Sequence, residues 1–316
     1  MQRRLGRGVN IAALDGPNEG AWGQTLSPDV FDKVREGGFA TVRLPVRWSN
    51  HALGAAPFTI DSAFFERVDY AIAAALERGL NIVVDMHHYR QLCGETLDSG
   101  EYAVDPAVLD ERFVAMWRQI AQRYRSQPSD RVVFELYNEP SNTCTPSRWN
   151  ELLRQSLSAV RESNPDRNIV VGPALWNIAD ALQALVLPND AHLIVTIHNY
   201  SPLRFTHQGA SWVNDPAVNS WLGTTCCDSA QRAEIAGALD RAVAWAGTRW
   251  PLWLGEFGSH EPTPYDSRVE YARTLRQAAE DRGISWAVWQ LAGNFGFYDV
   301  ATRQWKTELR NALTGP

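Results

Sequence analysis

Two glutamates stand where chemistry could be done. The hydrophobic run from Val132 through Phe134-Glu135-Leu136-Tyr137 ends in Asn138-Glu139, and Pro140 follows at once. Val and Phe favour a strand, and Pro ends ladder pairing. Glu139 is therefore expected at the C-terminal end of a buried strand, beside an amide. A second run, Leu252-Trp253-Leu254-Gly255, ends in Glu256. A carboxylate in such a place is costly unless it has a partner or a task. Taken alone, Glu139 could be a structural acid satisfied by an arginine. A pair of such acids can instead divide acid and base work, one held protonated and the other ionised.

The elements that must position this pair are read from a strand-then-helix alternation repeated eight times. Expected strands begin with Gly8–Ile11, Ala40–Pro45, Leu80–Met86 and the run at 132–139. They continue with Asn168–Val171, Leu193–Ile197, Leu252–Glu256 and Ser285–Trp289. Expected helices cover 27–36, 61–78, 105–126, 145–163, 230–247 and 265–282, with part of a short helix at 181–187 and a last one ending near Leu313. Ser27 and Pro28 suit an N-cap and first turn, and Gly37-Gly38 a helix end. Continuous apolar strands alternating with amphipathic helices indicate a parallel sheet covered by helices, and eight repeats indicate closure. The fold class is thus α/β, a single (βα)8 TIM barrel, with one catalytic domain over residues 1–316. An open doubly wound sheet is disfavoured, because no Gly-rich phosphate turn follows the first strand.

The 316 residues suit one large barrel, typically about 250 residues plus insertions. A formal net charge of −6 with no basic cluster speaks against nucleic acid as a partner. No apolar run reaches membrane length, so no membrane partner is expected. The first six residues lack an apolar signal core, which implies either a cytoplasmic protein or a mature fragment. Lys33 and Lys306 are the only lysines and neither lies at a strand end, so Schiff-base chemistry has no candidate. No Gly-x-Ser-x-Gly elbow occurs. Metal ligation is disfavoured because His87 and His88 are adjacent in an expected strand, where alternation points them apart. No metal and no cofactor are expected. The 13 tryptophans, without a basic groove, favour sugar faces as the stacking partner.

Barrel active sites lie at the C-terminal strand ends. In order, those ends carry Asn10, Arg43, His87-His88, Asn138-Glu139, Trp176, His198 with Tyr200, Glu256 and Trp289. Glu139 and Glu256, on strands four and seven, face each other across the mouth. Paired carboxylates at a sugar-sized cleft are the machinery of glycoside hydrolysis. Asn10 is expected to reach this cleft, the alternative being a satisfied amide inside the barrel. Trp22, Trp176, Trp212, Trp221 and His207 could line it, or pack within loops. Trp48, Trp117, Trp149, Trp245 and Trp250 read as core. Glu135 and Asp85 read as buried partners of an arginine. Cys93 and Cys144 follow neighbouring strands and suit a disulfide near the cleft. Cys226 and Cys227 could be a vicinal bridge or two thiols.

The strings Val42-Arg43-Leu44-Pro45-Val46-Arg47-Trp48, Asp85-Met86-His87-His88-Tyr89, Asn138-Glu139-Pro140, Ile197-His198-Asn199-Tyr200 and Gly255-Glu256-Phe257-Gly258 resemble glycoside hydrolase family 5, the cellulase family, in its order and spacing. The segment Phe205–Trp212 resembles the bacterial branch that contains thermophilic endoglucanases, some also active on mannan. The resemblance implies that Glu139 is the acid/base, Glu256 the nucleophile, and Arg43 the cation that keeps Glu256 ionised. It implies that Tyr200 touches the nucleophile, that Asn138 binds the sugar 2-hydroxyl and that His198 lies near the acid/base. His87 and His88 correspond to the strand-three histidine and a subsite contact, and Trp289 to the platform beside the scissile bond. Gln290 varies among relatives near the negative subsites, and the loops 91–104 and 201–228 could reshape the groove. The function implied is a retaining endo-β-1,4-glycanase acting on a cellulose-like β-glucan. The alternatives are a mannanase or dual glucanase/mannanase, and a carbohydrate-binding barrel without catalysis. The expected partner is a polysaccharide or oligosaccharide, bound by a monomer that is secreted or periplasmic.

Overall fold

The structure, a computed structural model, describes residues 5–315. Eight parallel strands close into a barrel in sequence order. They are β1 (Arg7–Asn10), β2 (Thr41–Val46), β3 (Asn81–Met86), β4 (Val132–Glu135), β5 (Ile169–Val171), β6 (Leu193–His198), β7 (Leu252–Glu256) and β8 (Ser285–Val288). Around them run α1 (Pro28–Glu36), α2 (Ser62–Glu77), α3 (Leu109–Tyr124), α4 (Pro146–Arg161), the single turn α5 (Leu203–Thr206), α6 (Ser229–Ala246), α7 (Tyr265–Asp281) and α8 (Thr307–Thr314). After β5 the covering element is a 3-10 turn over Ala179–Ala184, where a short α-helix is expected. A two-residue hairpin, β9 (Tyr298–Asp299) with β10 (Gln304–Trp305), precedes α8 and has no counterpart in the expected pattern.

Helix starts follow local chemistry. Asp61 accepts from the Ala63 amide, and Asp228 with Gln231 makes a reciprocal capping box at α6. Ser27 occupies the N-cap of α1 in an extended conformation, but its side chain makes no capping bond; Pro28 at the first position presets the turn.

Two kinds of side chain fill the barrel. At the bottom, Val83, Val133, Val170, Ile194, Trp253 and Ala287 form an apolar plug. Two residues further along their strands the inward positions become Asp85, Glu135, Gly172, Thr196 and Gly255, joined by Asn10 and Arg43. The period-2 alternation of strands makes this switch sharp. Trp117 of α3 donates its indole N–H to the Leu136 carbonyl at 2.9 Å, and Trp149 of α4 donates to Gly172 at 2.8 Å. Two of the core tryptophans thus satisfy carbonyls where β4 and β5 run out.

β4 ends at Glu135, four residues before the expected end. Pairing persists without a full ladder: the Leu136 amide donates to Val170 and the Asn138 amide to Met86. At Glu139 the chain turns with φ 50°, a left-handed conformation costing about 1–3 kcal/mol in a non-glycine residue. This kink lifts Glu139 out of the strand direction and over the barrel mouth. A disulfide Cys93–Cys144, with an S–S distance of 2.01 Å, ties the loop after β3 to the loop after β4. Cys226 and Cys227 form the vicinal bridge left open in the sequence.

Candidate active site

Arg43 of β2 is fully buried and organises the mouth. Its guanidinium makes a two-point contact with Glu135, Nε to Oε2 at 2.7 Å and Nη2 to Oε1 at 3.0 Å. Nη1 reaches Glu256 at 2.6 Å, and Nη2 reaches Asn138 Oδ1 at 2.9 Å and Asp85 Oδ2 at 3.1 Å. Glu135 and Asp85 are therefore the buried arginine partners that the sequence suggests. Asn10 departs from expectation. It is wholly buried, with Oδ1 accepting from Arg43 and Nδ2 donating to the Gly255 and Val288 carbonyls. Every polar atom of that amide is engaged inside the barrel, so it holds Arg43 and does not face the cleft.

The two glutamates meet different surroundings. Glu256 receives Arg43 on Oε1, and the Tyr200 hydroxyl donates to Oε2 at 2.8 Å. Burial pushes its carboxyl up, while His198, Arg43 and the Tyr200 bond oppose that. Glu139 touches His198 Nδ1 at 2.7 Å and, among the described residues, forms no ion pair with an arginine. Burial pushes Glu139 up to about 8, with Arg43 opposing from a distance. His198 is driven the other way by burial, down to about 4, so its ring is neutral at ordinary pH. One carboxyl is thus braced by a cation and a hydroxyl, and the other, about a quarter exposed, has a neutral imidazole as its hydrogen-bond partner. A carboxylate oxygen of each glutamate and a ring nitrogen of His198 lie within 4.8 Å of one another.

Around this pair sit the expected aromatics. The His87 ring stacks on Trp289 at 5.2 Å, and its Nδ1 bonds Asp85 at 2.6 Å. His87 is nearly buried and packs against Trp289 more than it faces solvent. His88 and Trp22 meet edge to face, and the Arg47 guanidinium lies 4.9 Å from the Trp22 ring centre. On the other flank His207 contacts Tyr200, and both join Phe295 and Trp212 in a ring cluster. Trp22, Trp176 and Trp212 are about half exposed, whereas Trp221 is buried in its loop. Gln290 is nearly buried, bonded to Gln24 and Asn294, which leaves little of its amide open.

The expectation that His87 and His88 point apart is overturned. β3 stops at Met86, so strand alternation no longer applies, and the two rings pack at 4.6 Å. With Asp15 they bring three ligand-type atoms within 4.8 Å of one another. Glu139, His198 and Glu256 make a similar trio, already engaged by internal hydrogen bonds. Asp15 went unnoticed in the sequence. It is buried beside Arg47 and pushed up to about 8 by that burial, yet nothing in its type or spacing separates it from other loop acids. Glu95 was missed for the same reason; its charge helps to raise Glu139.

A closed (βα)8 barrel with two environment-separated carboxyls at the C-terminal mouth is the architecture of a glycoside hydrolase. Residues 5–295 match the family Cellulase (glycosyl hydrolase family 5), and the chain belongs to that family. Among curated relatives, Endoglucanase H of Acetivibrio thermocellus is 30% identical over all of this chain and 33% of its own length. The chain thus spans about a third of that relative. Among solved structures, Cel5A of Thermotoga maritima in complex with cellobiose superposes with a TM-score of 0.91 at 38% identity, covering 98% of this chain and 97% of the other. The mannotriose complex of the same protein has the same TM-score, identity and coverage. Among the described residues, no helix is long and apolar enough to cross a membrane.

Proposed function

We propose that this chain is a retaining endo-β-1,4-glycanase that cleaves internal bonds of a cellulose-like β-glucan. The observation that carries this is the contrast between the two glutamates at short range. Glu256, whose carboxylate form Arg43 and Tyr200 favour against burial, attacks the anomeric carbon and forms a glycosyl-enzyme. Glu139, protonated because burial raises it, gives its proton to the departing sugar oxygen. In the second half Glu139, now a carboxylate, takes a proton from water, which displaces Glu256 and releases the sugar with its configuration kept. Retaining enzymes hold the two carboxyls about 5–5.5 Å apart, against about 6.5–9.5 Å for inverting ones; one oxygen of Glu139 lies within 4.8 Å of one oxygen of Glu256, which fits the closer spacing. Asn138, held by Arg43, addresses the 2-hydroxyl; Trp289 carries the sugar beside the scissile bond. His88, Trp176, His207 and Trp212 extend the groove. No cofactor enters these steps.

The chemistry is tested by following the anomer released from a soluble β-glucan by NMR. The β-anomer is expected first; initial release of the α-anomer would overturn the covalent route. A polymer panel of carboxymethylcellulose, mixed-linkage glucan, glucomannan, galactomannan and xyloglucan tests the substrate. A mannan-active or dual enzyme is the second reading, favoured by the structural neighbour solved with mannotriose. Glucose and mannose differ only at the 2-hydroxyl, so few contacts divide them. Two disulfides fit an oxidising compartment, which supports action outside the cytosol.

A further inference from the structure

Within the barrel, buried polar side-chain atoms of β6 and β7 crowd two glycines, Gly172 and Gly255, that flank Thr196. A Cβ placed on Gly172 would come within 2.8 Å of Thr196 Cγ2. One placed on Gly255 would lie 2.7 Å from Thr196 Oγ1, 3.0 Å from His198 Nε2 and 3.2 Å from Trp253 Nε1. Those three atoms are buried, and none has a hydrogen-bond partner among the described residues. The same holds for both amide atoms of Asn177, which packs against Gly172.

Unsatisfied buried polar atoms are scarce in native proteins, and here several crowd around two glycines. The set mixes donors and acceptors and carries no formal charge, which is the chemistry of a water site. A buried water typically makes about three hydrogen bonds, the number offered around Gly255. We propose that Gly255 keeps open a recess whose water bonds His198 Nε2, Thr196 Oγ1 and Trp253 Nε1, and so fixes the His198 tautomer presented to Glu139.

Trp253 supplies the asymmetry, since an indole nitrogen can only donate. Its hydrogen fills one lone pair of the water, whose own two hydrogens then need acceptors. Were His198 Nε2 to donate as well, Thr196 Oγ1 would be the one acceptor around Gly255 for both. With Nε2 accepting, Nε2 and Thr196 take one hydrogen each. Nδ1 then carries the imidazole hydrogen and donates it to Glu139 Oε1, 2.7 Å away. The transferable proton of Glu139 is confined to Oε2, the oxygen that His198 does not hold. His198 stays neutral throughout, and the proton leaving Oε2 goes to the departing sugar oxygen. The charged groups facing His198 are Glu139 at 2.7 Å and Glu256 at 3.8 Å, with Arg43 and Glu135 behind them. Gly255, Thr196 and Trp253 are positioning residues in this scheme.

The inference rests on Glu139 acting as the acid, and its test separates the two. Nitrogen NMR of the protein labelled with 15N-histidine reads the tautomer of His198 without substrate, the signal being assigned with His198→Asn. The Nδ1–H form is expected in the wild type. Gly255→Ala displaces the water. It is expected to mix the tautomers, to move the basic limb of the kcat/KM profile, and to lower kcat about tenfold at little-changed KM. Thr196→Val, which keeps the side-chain shape, is expected to act in the same direction and stands in should Gly255→Ala not fold. An Nε2–H tautomer in the wild type overturns the proposal. So do folded variants with wild-type tautomer and pH profile. Activity retained by Glu139→Gln would remove the acid assignment whichever tautomer is found.

Discussion

Replacing Tyr200 by Phe removes one oxygen and leaves the ring in its cluster with His207 and Phe295. That oxygen donates to Glu256 Oε2 at 2.8 Å in a nearly buried setting. A hydrogen bond to a charged group contributes about 1.5–3 kcal/mol, and each 1.36 kcal/mol is tenfold in rate. The expected loss in kcat/KM on a soluble β-glucan is therefore about 10- to 150-fold. The sign of the pH effect follows from the same bond. The hydroxyl opposes the upward push of burial on Glu256. Without it the carboxyl holds its proton to higher pH, and the carboxylate, the proposed nucleophile, is lost sooner as pH falls. The acid limb of the kcat/KM profile should move upward, by at most about 1–2 units if the whole bond energy acts on ionisation. Initial rates across a pH series, with circular dichroism as a folding control, measure both quantities. An unchanged acid limb together with a loss below threefold would refute the assignment of Glu256 as an ionised group dependent on Tyr200.

Other outcomes follow from the same geometry. Glu139→Gln should lower kcat on polysaccharide by about 100- to 10,000-fold, the range for a general acid. In the wild type, activity should decline as pH rises through about 8, because the proposed mechanism uses the protonated form of Glu139; this limb should vanish in Glu139→Gln, as a pH–rate series would reveal. Glu135→Gln breaks the two-point contact with Arg43 and should destabilise the fold by about 3–5 kcal/mol, the range for one partner of a buried ion pair, seen by urea unfolding. Joint replacement of Cys93 and Cys144 by Ala opens a link spanning 51 residues and should cost about 4 kcal/mol by loop-closure entropy, read as a lowered melting temperature.

Much of this molecule was legible in the chain. Apolar strands broken by Gly and Pro, and helices at 3.6-residue spacing, are local signals, so the eight strands appear close to their expected places. The polar strand ends marked the mouth because a barrel aligns all its C-terminal ends. Residues with several partners read less well. Asn10 has the right position for a sugar contact, yet its amide is consumed by Arg43, Gly255 and Val288, three groups distant in sequence. His87 and His88 defied alternation because β3 stops one residue before them.

Residue type and order were enough to nominate Glu139 and Glu256, to pair Glu135 with an arginine, and to propose the Cys93–Cys144 link. Only the folded barrel decided how the two catalytic candidates differ. Burial raises both identical side chains, but their neighbours differ: Arg43 and Tyr200 oppose that rise on Glu256, whereas Glu139 has a neutral His198 beside it. The physical reason is that a carboxyl's protonation depends on the charges and burial around it. Those neighbours come from β2 and from the C-terminal end of β6 and the residues just beyond it, which the closed barrel brings together around the ends of β4 and β7.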